Sequence, residues 1–235
     1  MAVKANHDIS SGLDTAFINS AINSNLAYRP EFVSNDYTQG KKVSVAIERE
    51  LRHCDAFYIS VAFITEGGLA PLKQVLAELR DKGIPGKILT TSYLTFTEPK
   101  ALKTLADLSN VEVRVYDSTD EGASGFHTKG YIFKEEEIYR FIVGSSNMTA
   151  SAFSVNKEWN TKLVSTSDGE LLKQMMTEFN ALWNSKHTLA VKDFIEDYEV
   201  RYRLIKEQKK NAAKEQMVDF QAYKLQPNKM QARFV

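Results

Sequence analysis

The sequence of 235 residues contains a single cysteine, Cys54, and has no long hydrophobic run. One cysteine cannot form an intramolecular disulfide or a thiolate cluster for zinc, which fits a reducing compartment. No stretch approaches the ~18 consecutive apolar residues of a membrane-spanning helix, and the first ten residues lack the apolar segment of a secretory signal. We therefore expect a cytoplasmic protein that does not bind a membrane.

An excess of charge of either sign is also missing, because 30 Lys and Arg residues balance 30 Asp and Glu residues. The whole chain thus lacks the positive potential of an obligate nucleic-acid coat protein, and any affinity for phosphate must be local. The largest local excess lies between residues 201 and 215, where six basic residues accompany two acidic ones. A solvated helical linker is the ordinary interpretation of such a segment, and a nucleic-acid contact is the alternative.

Segments with helical and strand periodicity alternate along the chain, an order that is typical of α/β proteins. The expected strands cover residues 55–64, 86–92, 111–116, 125–133, 138–144 and 158–165. The expected helices cover residues 10–26, 42–52, 67–82, 98–109, 148–154 and 169–185, and a long charged helix begins near 189. We predict an α/β fold whose mixed, largely parallel sheet is flanked by helices.

The stretch GFHTKGYIF, residues 125–133, places His127 and Lys129 two positions apart. Side chains alternate between the faces of a strand, so both would share one face of the predicted strand with Tyr131 and Phe133. Two groups that can carry positive charge repel each other on a common face. Their pairing therefore indicates an anionic ligand between them.

A second polar segment, VGSSNMTASAFSVNKEWN, covers residues 143–160. Ser145, Ser146 and Asn147 follow an apolar strand and precede a helical segment, where backbone N–H groups and polar side chains can cradle an anion. An ordinary helix N-cap is the alternative. Glu158 falls on a predicted strand. Together with His127 and Lys129, these residues supply a nucleophile or base, a cation, neutral donors and a carboxylate, as phosphodiester chemistry without a metal requires.

The pieces FHTKGYIF, VGSSNMTASAF and NKEWN resemble the single half-site of the phospholipase D superfamily, with its HxK pair, its GSxN turn and a downstream glutamate. The likeness is to the nuclease-like branch. It implies that His127 attacks phosphorus and forms a phosphohistidine, and that Glu158 holds the imidazole in the reactive tautomer. The implied phosphate ligands are Lys129, Ser145, Ser146 and Asn147. The fuller motif has Asp where this chain has Lys134, which counts against a classical phospholipase.

Only one HxK pair occurs, and His7, His53 and His187 lie outside any such motif. The superfamily reaction needs a second histidine to protonate the leaving oxygen. The resemblance therefore implies a homodimer in which two copies of His127 form one composite site on a two-fold axis.

The rest of the chain, including FYISVAFITEGGL and ILTTSYLTFTEPKAL, resembles the phospholipase D-like module at the N-terminus of bacterial DEAD/DEAH-type helicases of superfamily 2. The end, KLQPNKMQARFV, resembles their adenine-recognising segment, with Leu225, Pro227 and Gln231 at matching places. No GxxxxGK[ST] phosphate loop occurs, so no ATPase activity is expected. We predict a nuclease domain over 1–188, a charged helical linker over 189–222, and the start of a truncated helicase domain over 223–235.

These features predict a metal-independent phosphodiesterase that cleaves nucleic acid, with DNA as the expected substrate, without a cofactor. His127 and Glu158 have no further His or Cys at ligand spacing, and Lys129 would oppose a metal cation. A catalytically silent module for dimerisation or DNA binding is the alternative. Lipid cleavage is disfavoured by the single HxK pair and by the lack of a membrane-binding segment.

Overall fold

A computed structural model describes the backbone of residues 29–222 and the side chains as far as residue 212. The helix predicted over 10–26 and the helicase-like segment over 223–235 lie outside the described residues.

Eight strands and seven α-helices make up this part of the chain. The strands are β1 (Glu31–Val33), β2 (Ala56–Val61), β3 (Gly86–Thr91), β4 (Val111–Tyr116), β5 (Lys129–Glu135), β6 (Ile138–Gly144), β7 (Asn160–Thr166) and β8 (Thr188–Ala190). The helices are α1 (Val43–Leu51), α2 (Glu66–Leu69), α3 (Lys73–Asp81), α4 (Pro99–Ala106), α5 (Ala150–Ser154), α6 (Glu170–Trp183) and α7 (Val191–Ala222). Short 3₁₀ turns at Ala70–Leu72 and Tyr93–Thr95 follow α2 and β3.

The strands form one sheet in the order β1-β7-β6-β5-β2-β3-β4-β8. The predicted mixed α/β class, with helices around the sheet, is confirmed. The expectation that the sheet is largely parallel is wrong, because only the β2–β3 and β3–β4 pairs among the seven described pairings are parallel. A parallel pair needs a long crossover, usually a helix, whereas a hairpin turn joins β5 to β6 and makes them antiparallel.

The two faces of the sheet pack against different helices. Along β2, Phe57 and Ile59 contribute to the larger core beneath α1, α3, α4 and the start of α7, whereas Tyr58 points to the other face. On that second face, Phe179 and Trp183 of α6 cover the sheet. Successive side chains of a strand point to opposite faces. Because helices cover both faces of the sheet here, both sets of side chains along this central strand are apolar.

The charged helix predicted as a linker from residue 189 begins inside the packed domain. Residues 188–190 form β8, which pairs with β4 at the edge of the sheet. Phe194 and Tyr198 of α7 are buried, and the Tyr198 hydroxyl donates to the Thr97 carbonyl oxygen over 2.7 Å. Arg201 then forms an ion pair with Asp117 over 3.3 Å. The folded unit therefore extends beyond 188, to at least this ion pair.

Gly68 permits a close approach between α2 and the loop before α5. A Cβ atom at this position would lie 2.1 Å from the carbonyl oxygen of Met148 and 2.6 Å from the amide nitrogen of Thr149. Because backbone would have to move, we expect Gly68→Ala to lower the free energy of unfolding by about 2–3 kcal/mol, as overpacking does. Urea denaturation measures this change. Gly125→Ala is the control, since a Cβ atom there meets nothing within 4 Å; equal midpoints for the two variants would contradict the packing.

Candidate active site

The residues predicted to act together all lie at one edge of the sheet, by which we mean the side where the strand ends meet, not an outer strand. The parallel strands β2, β3 and β4 end at this edge, β5 and β7 begin there, and β6 ends there. The register confirms this, because Val61 at the end of β2 pairs with Lys129 at the start of β5, and Gly144 at the end of β6 pairs with Asn160 at the start of β7. The antiparallel hairpins, more than the parallel strands, thus bring the polar segments together.

His127 and Lys129 are in direct contact. The Lys129 Nζ atom lies 2.9 Å from Nδ1 and 3.3 Å from Nε2 of the His127 ring, and it also donates to the His127 carbonyl oxygen over 3.1 Å. An ammonium group can only donate, so the imidazole nitrogen accepts. The imidazole is exposed to solvent. The strand predicted over 125–133 begins too early, because β5 begins at Lys129 and His127 lies in the segment that precedes it.

The environment of Lys129 changes its proton affinity. Partial burial disfavours the ammonium and lowers the pKa of Lys129, while the nearby negative charge of Glu158 opposes this effect without cancelling it. Lys129 and the Glu158 carboxylate therefore interact across the same site.

Glu158 is a buried carboxylate held by two serine hydroxyls. Its side chain is 7% exposed, and its Oε2 atom accepts hydrogen bonds from the hydroxyls of Ser145 and Ser146, the latter over 3.3 Å. It lies just before β7 and not on the strand predicted over 158–165. In residues 29–212, whose side chains are described, no hydrogen bond joins it to His127. Its contacts within one chain therefore differ from the direct support of the imidazole that the resemblance implies.

Ser146 is fully buried and supports the site from within. Its hydroxyl accepts from the Asn160 side chain over 2.9 Å, and its amide donates to the Asn160 Oδ1 atom over 3.2 Å. The amide of Ser145 donates to the carbonyl oxygen of Trp159. These two amides are thus occupied and do not contribute to an open anion cradle. Ser145 itself is exposed.

The turn is not the N-cap of the following helix. Thr149 occupies the N-cap position of α5, where its hydroxyl accepts from the amide of Ala152 over 3.3 Å. Asn147 instead joins two loops, because its Oδ1 atom accepts from the amide of Phe63 over 3.1 Å. The ordinary capping interpretation of Ser145–Asn147 is therefore wrong.

A cleft of about 610 Å³ opens beside these residues. Ser145, Asn147 and Glu158 line one part of it, and Phe63 and Phe96 line another. The Phe63 ring also meets the His127 ring edge to face, with 6.0 Å between their centroids. Neither phenylalanine is among the site residues predicted from the sequence. Phe63 belongs to an apolar run that is typical of a buried strand, and no local pattern marks Phe96 as exposed.

The part of the chain that the structure describes contains neither a membrane-spanning helix nor a cluster of metal ligands. No helix in that part of the chain is both long and apolar enough to cross a membrane. Nor does that part bring together three or more His, Cys, Asp or Glu side chains in positions to share a metal ion.

A mixed sheet that carries a His–Lys pair, a Ser-Ser-Asn turn and a buried glutamate at one edge defines a phospholipase D-like domain. The chain belongs to this family, since the sequence profile described as "Cardiolipin synthase, PLD-like domain" matches residues 53–183, more than half of the chain. The matched range contains every predicted site residue. The resemblance to the superfamily is thus confirmed, and the resemblance to helicase-linked modules remains a prediction.

Solved structures share the fold. Nuc from Salmonella typhimurium, a phospholipase D family member, is 16% identical with a TM-score of 0.52, and the match covers 69% of this chain and 98% of Nuc. NucT from Helicobacter pylori is 14% identical with a TM-score of 0.53, over 69% of this chain and 99% of NucT. Phosphatidylserine synthase from Haemophilus influenzae is 15% identical with a TM-score of 0.51, over 80% of this chain and 46% of the synthase. No curated protein sequence matches significantly.

Proposed function

We propose that this chain is a metal-independent phosphodiesterase that cleaves DNA through a phosphohistidine intermediate. The observation that carries the proposal is the contact between the Lys129 ammonium and the His127 imidazole at the sheet edge that also holds the buried Glu158. This arrangement combines a nucleophile with a cation that can bind a phosphate oxygen and leaves the imidazole accessible to solvent.

The proposed reaction has two displacements at phosphorus. In the first, an imidazole nitrogen of His127 forms a bond to phosphorus, the bond to the leaving oxygen breaks, and a second imidazole gives that oxygen a proton. In the second displacement, the second imidazole takes a proton from water, the water oxygen attacks phosphorus, and the bond to His127 breaks. Lys129, Ser145 and Asn147 stabilise negative charge on the non-bridging oxygens.

The structure suggests separate roles for the remaining polar residues. Because Ser146 is fully buried and donates to Glu158, we assign it to positioning the carboxylate. Phosphate contact passes to the exposed Ser145, whose hydroxyl also donates to Glu158 and must turn from the carboxylate to the phosphate when substrate binds. Glu158 in turn favours the charged form of Lys129. Its proposed action on the imidazole requires a rearrangement within the site or the presence of the second chain.

The second imidazole is assigned to His127 of another copy. Of the other histidines in the described residues, His53 binds the Arg49 carbonyl oxygen at the end of α1, and His187 contacts Asp120 beside β8. A homodimer with a composite site supplies the missing proton donor. Sedimentation analysis should therefore give the mass of a dimer. The resemblance to helicase-linked modules further predicts that a helicase domain delivers the DNA.

The test is cleavage of labelled single- and double-stranded DNA in excess EDTA, with His127→Ala as the comparison. The proposal expects cleavage that persists in EDTA and is lost in the variant. Cleavage that requires an added metal would contradict it. A folded dimer that binds DNA without cutting any substrate would favour the silent binding module.

DNA affinity should fall steeply with salt. Phosphate contacts release counterions from DNA, and added salt opposes this release. For a complex with about three such contacts, raising the salt from 50 to 200 mM should lower the affinity roughly tenfold or more. Fluorescence anisotropy with the His127→Ala variant measures binding without cleavage. An affinity that does not change with salt would argue against a nucleic-acid substrate.

A further inference from the structure

A loop beside the candidate active site exposes three large apolar side chains. Tyr93, Leu94 and Phe96, between β3 and α4, are 41%, 52% and 47% exposed. Exposed aromatic side chains that cluster beside a functional cleft indicate a contact surface, because their hydration is unfavourable. The candidate site described above does not explain them.

This loop is held in a strained conformation by buried hydrogen bonds. Leu94 and Thr95 have positive φ angles of 53° and 54°, which cost a non-glycine residue on the order of 1 kcal/mol or more. The fully buried Thr97 donates to the Thr91 carbonyl oxygen over 3.0 Å, and Tyr198 of α7 donates to the Thr97 carbonyl oxygen. These hydrogen bonds therefore tie the two ends of the loop, Thr91 and Thr97, to each other and to the buried side of α7.

The exposed rings connect to His127 through Phe63. Phe96 meets Phe63 edge to face, with 4.9 Å between ring centroids, and Phe63 meets His127 in the same way. Phe63 and Phe96 also line the cleft that contains Asn147 and Glu158. We call Phe63 and Phe96, together with the exposed Tyr93 of the same loop, the aromatic platform. It begins at the proposed nucleophile and leads outwards.

Lys209 of α7 borders the platform, and Arg203 and Lys206 line a neighbouring groove. The Nζ atom of Lys209 lies 4.9 Å from the centre of the Phe96 ring and 3.5 Å from the Leu94 carbonyl oxygen. One turn earlier, Lys206 lies over the Tyr202 ring. Within the described side chains, Arg203, Lys206 and Lys209 have no carboxylate within 4 Å.

The groove that Arg203 and Lys206 line also contains three carboxylates, and each of them already has a partner. Glu66 pairs with Lys73 and Lys100, and Glu199 pairs with Lys103 over 2.7 Å. The third carboxylate, Glu98, accepts a hydrogen bond from the Glu66 amide over 2.7 Å. Arg203, Lys206 and Lys209, on the basic segment singled out in the sequence, therefore remain as cations outside these ion pairs.

We infer that the aromatic platform and the Arg203, Lys206 and Lys209 side chains bind single-stranded DNA and guide it to His127. The inference deepens the proposed function and rests on it. Aromatic rings stack on unpaired bases, and nearby cations bind the backbone, which is how single strands are held without sequence preference. Bases in a duplex are already stacked on one another, so a duplex gains much less from these rings.

The test measures binding of fluorescein-labelled (dT)₂₀ by anisotropy, in EDTA and in the His127→Ala background. We expect Phe96→Ala and Phe96→Leu to weaken binding about tenfold, because loss of one stacked base contact removes roughly that factor. Phe96→Trp should bind at least as tightly as the parent. The leucine variant keeps an apolar side chain, so it separates stacking from simple apolar contact.

Charge variants give an independent readout. The double variant Lys206→Ala, Lys209→Ala should reduce the dependence of log affinity on log salt by about one to two. Lys82→Ala is the matched control, because Lys82 is an exposed lysine at the end of α3, before β3 and so at the opposite edge of the sheet. Its salt dependence should equal that of the parent.

Equal (dT)₂₀ affinity in the parent, Phe96→Ala and Phe96→Leu proteins would overturn the inference. So would equal affinity for (dT)₂₀ and a duplex of the same length. The proposed function is tested separately by hydrolysis of bis(p-nitrophenyl) phosphate by the unchanged chain, which needs His127 but no nucleic acid. Hydrolysis without Phe96-dependent binding would support the proposed function and reject the inference. Phe96-dependent binding without hydrolysis supports the inference and counts against the proposed chemistry.

Discussion

Replacing His127 by alanine should lower the rate of phosphodiester hydrolysis by at least about 10³-fold, since a covalent pathway has no substitute for its nucleophile. In the composite dimer the same substitution also removes the proton donor. Release of p-nitrophenol from bis(p-nitrophenyl) phosphate gives the rate. The fold should remain intact, because the imidazole is exposed and its described side-chain contacts are with Lys129 and Phe63.

The control for this substitution is His53→Ala. His53 is also exposed, but it lies after α1 and binds the Arg49 carbonyl oxygen at the opposite edge of the sheet. Its removal should leave the rate within about twofold and the thermal midpoint nearly unchanged. A His127→Ala protein with unchanged activity would remove the basis for the mechanism. An unfolded His127→Ala protein would show that the residue is structural.

Replacing Lys129 by methionine should lower kcat by about 10²–10³-fold, the range for loss of one charge-stabilising group in an active site. Methionine keeps the unbranched apolar stem but loses the ammonium that contacts His127. Lys134→Met is the control, because Lys134 lies near the other end of the same strand. If both variants had the same rate, Lys129 would have no special role in the reaction.

The pH profile gives a second test of Lys129. Partial burial lowers the pKa of this lysine against the opposing effect of Glu158, so it loses its proton at a lower pH than an ordinary lysine. Because the protonated form is needed, the rate should fall as pH rises through this lowered pKa. Lys129→Arg should retain part of the activity and move this decline to higher pH, since guanidinium keeps its charge. An identical alkaline limit in both proteins would assign that limit to another group.

Much of the fold follows from local patterns. The strand Val111–Tyr116 coincides with its prediction, and the helices α1, α4 and α6 agree within a few residues. Hydrophobic periodicity reports which residues face a core, but it does not report which strands become neighbours. For this reason the share of parallel pairs was overestimated. The three-residue strand β8 was missed because Thr188–Ala190 is too short to have a periodicity of its own.

Some features of the site likewise follow from local sequence, and others depend on tertiary structure. Short sequence pieces identified the His127, Ser145 and Glu158 segments, and their spacing along the chain fits strands that return to one edge. The partners of Glu158 could not be read from spacing, because they depend on how β6 and β7 align after Gly144. A Cβ atom on Gly144 would lie 2.1 Å from the Trp159 carbonyl oxygen, so this alignment depends on glycine. Exposure of Phe96 likewise depends on tertiary contacts that hold its loop.

The stereochemical course at phosphorus tests the central claim most directly. A DNA phosphorothioate diester of known configuration is cleaved in oxygen-18 water with excess EDTA, and the configuration of the product phosphorothioate is determined. Each in-line displacement inverts phosphorus, so attack by His127 followed by attack of water predicts net retention. Net inversion would mean that water displaces the leaving oxygen in one step, and it would contradict the phosphohistidine mechanism.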